Sequence, residues 1–260
     1  MRSAARRAWQ WLRTPGRFER ALLKILDVRN RKLPPERRVV IPRATYSPWR
    51  DDREFHDTFT RVQNNSLVDI YRCYELWGLV AEVAPVPGDV LEVGVWRGGT
   101  GCLMAERARR LGIDGTVYLC DTFAGVVKAG GEDNVYVGGE HANTSIAQVE
   151  ALRDSLQLTN IEILVGIFPD DTAVKIEDHT FRLCHIDVDV YESAKGVFEW
   201  VWPKVAPGGV VVFDDYGFVE CEGVTRFVNE QRGHTDRRFV HNLNGHGIFV
   251  KLGAPNARDR

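Results

Sequence analysis

Beyond residue 84, short apolar runs alternate with amphipathic stretches along the chain. Five apolar runs end at or near an acid or a glycine: Val90–Val93, Thr116–Cys120, Ile161–Val165, Arg182–Ile186 and Gly209–Phe213. Helical patterns cover 99–112, 144–157, 192–205 and 222–231. Strands that alternate with helices of this length predict an α/β fold with a doubly wound, mostly parallel sheet. Two last runs, Phe239–Asn242 and Gly247–Leu252, predict a hairpin at the sheet edge.

The first 84 residues follow a different pattern. Residues 1–38 are basic and partly helical in pattern, whereas 39–58 are polar and aromatic without a clear period. A helix is predicted over about 59–84, because Pro85 cannot continue it. The sequence therefore predicts four parts: a basic helical segment at 1–38, a lid and first helix at 39–84, the sheet domain at 85–253 and a tail at 254–260.

Composition excludes several classes of protein. The 260 residues are 44% hydrophobic and 27% charged, which is typical of a globular chain and not of a disordered one. No apolar stretch approaches the roughly 18 residues of a membrane-spanning helix, and the arginine-rich start lacks the apolar region of a secretory signal. Five cysteines without CxxC pairing predict reduced, buried thiols. We therefore expect a cytoplasmic protein.

Charge is distributed unevenly between the N-terminal segment and the rest of the chain. Residues 1–38 hold twelve Lys or Arg and three acids, a net charge of +9, although the whole chain has a net charge of −2. An apolar stripe at helical spacing comprises Phe18, Leu22, Ile25 and Leu26, which Trp9 and Leu12 could extend.

Two interpretations of this basic segment stay open. One is a solvated helix that packs on the body or on a second subunit of a homo-oligomer. The other is a helix that binds an anionic glycan or an anionic lipid surface at the inner face of the membrane. A nucleic-acid partner is not expected, because the remainder of the chain is acidic.

Ligands of such sheets bind at the carboxyl ends of the strands, and the first of these ends carries a glycine turn. Gly94, Gly98 and Gly99 let the backbone turn sharply and let a ligand approach the start of the next helix. Their spacing is not GxGxxG, which disfavours a nicotinamide-dependent dehydrogenase. Glu92 is an acid at this strand end, beside which a cationic amine could bind. A plain tight turn is the alternative.

A second acid follows the next apolar run. Asp121 stands where the ribose of a nucleoside cofactor presents its hydroxyls in folds of this kind. A carboxylate accepts two such hydrogen bonds at once. The alternative role for this side chain is that of a helix N-cap.

Four more acids follow the fourth and fifth runs. Asp187 and Asp189 are two residues apart, so in an extended chain their side chains point the same way. Asp214 and Asp215 follow the fifth run directly. Carboxylates that meet at the carboxyl ends of neighbouring strands repel each other, so we expect a cation among them. Because the available ligands are oxygen atoms, Mg²⁺ is the expected cation. Helix capping could account for one of these acids but not for all four.

Four motifs in this order, LEVGVWRGGT, DTFAG, IDVDVY and FDDYG, resemble those of the S-adenosylmethionine- and Mg²⁺-dependent sugar O-methyltransferases of the macrocin and novobiocin pathways. The resemblance extends over roughly residues 40–252 and implies a class I methyltransferase fold, Rossmann-like, with seven strands. It implies that Asp187, Asp214 and Asp215 bind the metal and that Asp189 is the general base. It implies cofactor contacts at Glu92, Gly94, Trp96, Gly98, Thr100, Asp121, Thr122, Gly166, Phe168 and Asp187. Within this set, the glycine turn would hold the methionine part, Asp121 and Thr122 the ribose, and Gly166 and Phe168 the adenine.

Two segments, 125–143 and 242–247, depart from the pattern of that family, and we expect both to border the acceptor. Candidate acceptor contacts are Lys128, Tyr136, His141, Tyr191, Tyr216 and His246; ordinary surface positions are the alternative. The sequence thus predicts methylation of a sugar hydroxyl, on a small sugar, a surface polysaccharide or a lipid-linked glycan. Two alternatives stay open: a catechol or small-phenol methyltransferase, and a non-catalytic cofactor-binding protein of glycan assembly.

Overall fold

The computed structural model describes residues 17–39 and 44–253. They form two compact units that divide between Ser47 and Pro48, whereas the boundaries predicted from the sequence fall after residues 38 and 84. The first unit contains helix α1 (Arg17–Asn30), in which Ile25 is 67% exposed. Trp9, Leu12 and the side chain of Phe18, which belong to the predicted apolar stripe, lie outside the described residues, as does the tail from residue 254.

A seven-stranded sheet forms the centre of the second unit. Its strands are β1 (Asp89–Val93), β2 (Val117–Asp121), β3 (Ile161–Val165), β4 (Phe181–Ile186), β5 (Val205–Phe213), β6 (Arg237–His241) and β7 (Gly247–Lys251). They lie in the order β3-β2-β1-β4-β5-β7-β6. The first five are parallel, and β7 runs antiparallel to both of its neighbours. The predicted doubly wound α/β sheet with an edge hairpin is confirmed.

Helices cover both faces of this sheet. They are α2 (Arg53–Val62), α3 (Ile70–Glu82), α4 (Gly99–Arg110), α5 (Ile146–Ser155), α6 (Tyr191–Val201) and α7 (Glu222–Glu230). The first four bury Phe55, Trp77 and Leu103 against one face, and the last two bury Phe198 and Phe227 against the other. All five cysteines are free and buried, as predicted. Among the described residues, no helix combines the length and the apolar character that crossing a bilayer requires.

The single helix predicted over 59–84 is wrong, because the structure divides this region into α2 and α3. The Asp52 carboxylate caps α2 by accepting from the Phe55 amide at 2.9 Å. The Asp69 carboxylate starts α3 in the same way, accepting from the Tyr71 amide at 2.8 Å. The stretch between the helices, 63–69, contains two asparagines, a serine and an aspartate, which are poor helix formers that favour caps and turns. The break matters for function, because it brings residues 65–68 to the cavity described below.

The strand order reverses between β1 and β4, which are hydrogen-bonded neighbours. Backbone pairing continues past both strand ends: the Asp187 amide donates to Val93 O, and the Asp214 amide donates to Ile186 O, each at 2.9 Å. These bonds bring together the segments that follow β1, β4 and β5. In open α/β sheets this switch point is where ligands bind.

Candidate active site

A cavity of about 300 Å³ lies over the carboxyl ends of the parallel strands. Its lining includes the predicted residues Gly94, Trp96, Thr100, Asp121, Thr122, Tyr136, His141, Gly166, Phe168, Asp187, Asp189, Asp214 and Asp215. The predicted residues Glu92, Gly98, Lys128, Tyr191, Tyr216 and His246 do not belong to the lining. Most predicted cofactor residues and all four predicted acids after β4 and β5 therefore meet at one place.

Gly94 lies where two chain segments approach most closely. Its φ is +87°, and a Cβ atom at this position would lie 1.7 Å from the Asp187 carbonyl oxygen. Any side chain would therefore push apart the segments that follow β1 and β4. Gly98, with φ +86°, caps the start of α4 and packs against the Val149 side chain instead of lining the cavity.

Asp121 holds the glycine turn in place. Its Oδ2 accepts from the backbone amides of Val95 at 2.7 Å and Trp96 at 2.8 Å, and its Oδ1 accepts from the Phe123 amide at 2.7 Å. Two carboxylate oxygens offer about four lone-pair sites, so an acceptor position is left for a hydroxyl. The ribose contact stays a prediction, and the structure adds a second role for this residue, which is to shape the turn.

Glu92 lies in the core beneath the cavity. The Glu92 side chain is fully buried, and its Oε1 lies 2.9 Å from His185 Nδ1. A Cβ atom on Gly101 would lie 2.5 Å from Glu92 Oε2, so the carboxylate faces α4. Glu92 does not line the cavity, and its contact with a cofactor amine stays a prediction. Alternate side chains of a strand point to opposite faces, and Glu92 is on the face that α4 covers.

Asp187, Asp214 and Asp215 form the acidic centre of the cavity. Each offers one oxygen atom, and these three atoms lie within 4.8 Å of one another. Burial raises the pKa of Asp187 and of Asp215 well above the ordinary range, and the charge of Asp214 adds to both shifts. Burial and mutual repulsion disfavour the ionised form of these carboxylates. A bound cation would stabilise that ionised form. An all-oxygen donor set suits a hard divalent ion.

Arg72, which the sequence pattern did not single out, reaches this centre from α3. Its Nη1 lies 2.6 Å from Asp214 Oδ2 and 3.3 Å from Asp215 Oδ1. Asp69, the cap of α3, holds the Arg72 Nε at 2.9 Å. Burial lowers the pKa of Arg72, but Asp214 and the other acids outweigh it and raise the net value. In a single helix over 59–84, nothing distinguishes Arg72 from a solvated arginine. In the structure it lies in the first turn of α3, next to the break at 63–69, and its side chain is directed to the acidic centre.

Asp189 faces the cavity from the segment after β4. Its φ is +63°, a left-handed conformation that is uncommon for a residue with a side chain. Burial raises the pKa of Asp189, although the Tyr136 hydroxyl and the charge of His141 act in the opposite direction. The Tyr136 hydroxyl lies 3.4 Å from His141 Nε2. A carboxylate with a raised pKa in a cavity has the property that a general base requires.

Residues 125–143 contribute to the lining of the cavity, with Tyr136 and His141 among the lining residues. The Ser193 hydroxyl donates to Val127 O at 2.8 Å, and the Trp96 indole donates to the Asn143 side chain at 2.9 Å. These bonds tie both ends of the segment to neighbouring elements. Two of the six candidate acceptor residues therefore lie in the cavity.

The other four candidates lie elsewhere and have protein partners. Lys128 pairs with an exposed aspartate, Asp170, at 2.7 Å. The hydroxyls of Tyr191 and Tyr216 donate to Glu230 at 2.7 Å and to Asn229 at 2.8 Å, respectively.

His246, the last of the four, is fully buried between Asp214 and Glu75. Burial lowers the pKa of His246, but the two carboxylates outweigh it and raise the value to about 9. The prediction that segment 242–247 presents His246 to an acceptor does not agree with this burial.

The fold and the cavity together define a class of protein. The arrangement of a class I methyltransferase is a Rossmann-like sheet with a glycine turn at the switch point and acids at the ends of the second, fourth and fifth strands. The present fold and cavity have this arrangement. The model of the macrocin-O-methyltransferase (TylF) family matches residues 53–250, so the chain belongs to that family and is an S-adenosylmethionine-dependent O-methyltransferase.

Individual relatives agree with this assignment. A tetracenomycin-pathway enzyme of Streptomyces olivaceus, an 8-demethyl-8-(2,3-dimethoxy-alpha-L-rhamnosyl)-tetracenomycin-C 4'-O-methyltransferase, is 28% identical over 66% of this chain and 69% of its own length. Demethyldecarbamoylnovobiocin O-methyltransferase of Streptomyces niveus is 33% identical over 58% of this chain and 60% of its own length. The solved structure of the O-methyltransferase NovP is 29% identical, covers 73% of this chain and 83% of its own, and has a TM-score of 0.60.

Proposed function

We propose that this enzyme methylates a sugar hydroxyl with the help of a divalent cation such as Mg²⁺, bound by Asp187, Asp214 and Asp215. The observation that carries the proposal is the convergence of three carboxylate oxygens within 4.8 Å, beside Asp189 in the same cavity. The name of the tetracenomycin relative describes an acceptor with a rhamnosyl group, which supports a sugar as the acceptor class here.

The charges around the carboxylates support a cation. Arg72 and His246 contact Asp214 and offset only part of the negative charge of the four aspartates. A divalent cation bound there would supply Lewis-acid stabilisation of the developing negative charge on an acceptor oxygen. Vicinal hydroxyls, which sugars and catechols both have, suit such a cation.

The chain itself provides the proton acceptor. A sugar hydroxyl is about as weak an acid as water, whereas a free Asp has a pKa of about 3.9. Asp189 narrows this gap because burial raises its pKa. In the proposed reaction its carboxylate accepts the hydroxyl proton. The neighbouring Tyr136 orients that carboxylate, and segment 125–143 shields it from water.

S-adenosylmethionine supplies an electrophilic methyl group on a sulfonium cation. We assign its binding to the wall of the cavity that the glycine turn and the ends of β2 and β3 form. The glycine turn at Gly94 and the start of α4 at Thr100 hold the methionine part, Asp121 and Thr122 hold the ribose, and Phe168 contacts the adenine. Positioning the reacting oxygen in line with the methyl group contributes several kcal/mol to catalysis, on the order of 7 or more in favourable cases.

An acceptor panel tests the proposal. Purified protein is incubated with S-adenosylmethionine, Mg²⁺ and either deoxysugar glycosides, nucleotide sugars or catechols, and methylated products are identified by mass spectrometry. We expect methylation at a sugar oxygen. Methylation of catechols alone would contradict the sugar assignment, and cofactor binding without transfer to any acceptor or to total cell glycans would favour a non-catalytic role.

We further propose that the basic segment 1–38 directs the enzyme to an anionic membrane surface, where the acceptor is a lipid-linked glycan or a surface polysaccharide. Its net charge of +9 and the exposure of Ile25 and Val28, 67% and 61%, support this location. Flotation with phosphatidylglycerol vesicles should recover the full chain. A variant with Arg20, Lys24 and Arg31 changed to glutamine should float less, and equal flotation of both proteins would contradict the proposal.

A further inference from the structure

Glu75 and His246 form a buried chain of contacts that ends on Asp214. His246 lies in the connection between β6 and β7, and Glu75 lies on α3. His246 Nδ1 is 2.6 Å from Glu75 Oε2, and His246 Nε2 is 2.9 Å from Asp214 Oδ1. The side-chain amide of Asn242 donates to the same Glu75 oxygen at 2.6 Å. The imidazole is therefore held at one nitrogen and faces Asp214 with the other.

The two oxygens of Asp214 have different partners. Oδ1 lies 2.9 Å from His246 Nε2, whereas Oδ2 lies 2.6 Å from Arg72 Nη1, which also lies 3.3 Å from Asp215 Oδ1. Contacts at both oxygens limit rotation of the carboxylate about its χ2 angle. His246 and Arg72 thus act together on the orientation in which Asp214 faces Asp187 and Asp215.

The segment that carries His246 also packs on the backbone next to Asp214. The Tyr216 amide donates to Gly245 O at 2.8 Å. Gly245 has a φ of +108°, and a Cβ atom there would lie 2.3 Å from the Phe218 ring. Segment 242–247, which was predicted to border the acceptor, is therefore built against the loop that follows β5.

We propose that His246, held by Glu75, is a positioning residue that orients Asp214 for cation binding. The inference rests on the proposed divalent cation and adds two residues that contact neither the cation nor the acceptor. Removal of a residue that contacts and orients a metal-binding side chain commonly lowers metal affinity by about 10- to 100-fold. The effect should therefore appear in cation affinity and not in cofactor affinity.

The experiment measures Mg²⁺ and S-adenosylmethionine binding by isothermal titration calorimetry on the full chain. The variants are His246→Gln and Glu75→Gln, the second of which keeps the shape of the side chain. The control is His179→Ala, because His179 Nδ1 lies 2.7 Å from Asp89 Oδ2, a histidine–carboxylate pair at the amino end of β1 that does not line the cavity. We expect both test variants to bind Mg²⁺ roughly 10- to 100-fold more weakly, with cofactor affinity unchanged.

Kinetics give a second readout. The Mg²⁺ concentration for half-maximal activity should rise in Glu75→Gln, while kcat at saturating Mg²⁺ returns to near the wild-type value. Wild-type Mg²⁺ affinity in a folded Glu75→Gln or His246→Gln protein would overturn the inference while leaving the proposed function intact. Absence of Mg²⁺ binding to the wild-type protein would overturn the cation assignment itself, and the inference with it.

Discussion

Two aspartates of the cavity adopt the left-handed backbone conformation, which is uncommon for residues with a side chain although Asp tolerates it better than most. Asp189 has a φ of +63° and Asp215 a φ of +60°. Such conformations cost on the order of 1–3 kcal/mol each and persist only where the surrounding structure enforces them. Both residues follow strands whose ends are fixed by further backbone pairing, and both carboxylates line the cavity. The backbone strain therefore lies at the proposed general base, Asp189, and at one of the proposed metal ligands, Asp215.

Replacement of the proposed base is the first prediction. Asp189→Asn removes the proton acceptor but keeps the size of the side chain, so kcat should fall by about 10²- to 10⁴-fold. Cofactor affinity measured by calorimetry should stay the same. Asp170→Asn, which changes an exposed aspartate, is the matched control and should keep full activity. An Asp189→Asn enzyme with wild-type kcat would remove this residue from the mechanism.

At the scale of single residues, the sequence predicts the acids better than their partners. Asp187 and Asp189 are recognisable because a spacing of two in an extended chain puts both side chains on one side. Arg72 and Glu75 leave no such trace. Each lies in a helix where charged residues are common, and each contacts Asp214 or His246 more than 140 residues away along the chain.

The element that does most to shape the cavity is the glycine turn between β1 and α4. Gly94 allows the segment after β1 to touch the segment after β4, and Asp121 holds the following amides from the end of β2. The break between α2 and α3 contributes in a similar way. A Cβ atom on Gly99 would lie 2.6 Å from Asn65 O, so α4 begins in contact with that break. Periodicity predicted the helices here but missed the break, because tertiary contacts and not propensity decide it.

Substitution within this turn is the second prediction. Gly94→Ala combines a disfavoured φ with a steric overlap of backbone atoms, so the free energy of unfolding should fall by roughly 3 kcal/mol or more. Cofactor affinity should fall with it. Gly112→Ala is the control, since Gly112 has a φ of +64° and a Cβ atom there would meet no other atom within 4 Å. It should cost only about 1 kcal/mol.

Urea unfolding of the two glycine variants measures both values. A loss at Gly94 no larger than the loss at Gly112 would mean that the close approach of the two segments does not contribute to stability.

At the scale of the whole molecule, the sequence predicted the fold class almost completely. Alternating apolar runs indicated the parallel strands, and the last two runs indicated the hairpin that the structure contains. Helices α2 and α3, which the sequence assigns to the segment before the sheet domain, bury Phe55 and Trp77 in the same core as the sheet. The uneven distribution of charge along the sequence identified the basic segment 1–38, but it carries no information about these core contacts. The proposed membrane contact and the predicted homo-oligomer both involve a partner outside the single chain, so both stay predictions.

The most direct test of the account is removal and return of the divalent cation during methyl transfer. The purified enzyme, with S-adenosylmethionine and the sugar acceptor identified by the panel, is assayed in excess chelator and again after Mg²⁺ is restored. The account predicts that product formation falls to background in chelator and recovers with Mg²⁺. The reason is that Asp187, Asp214 and Asp215 would then bind the cation again. An unchanged rate of sugar methylation in excess chelator would contradict it.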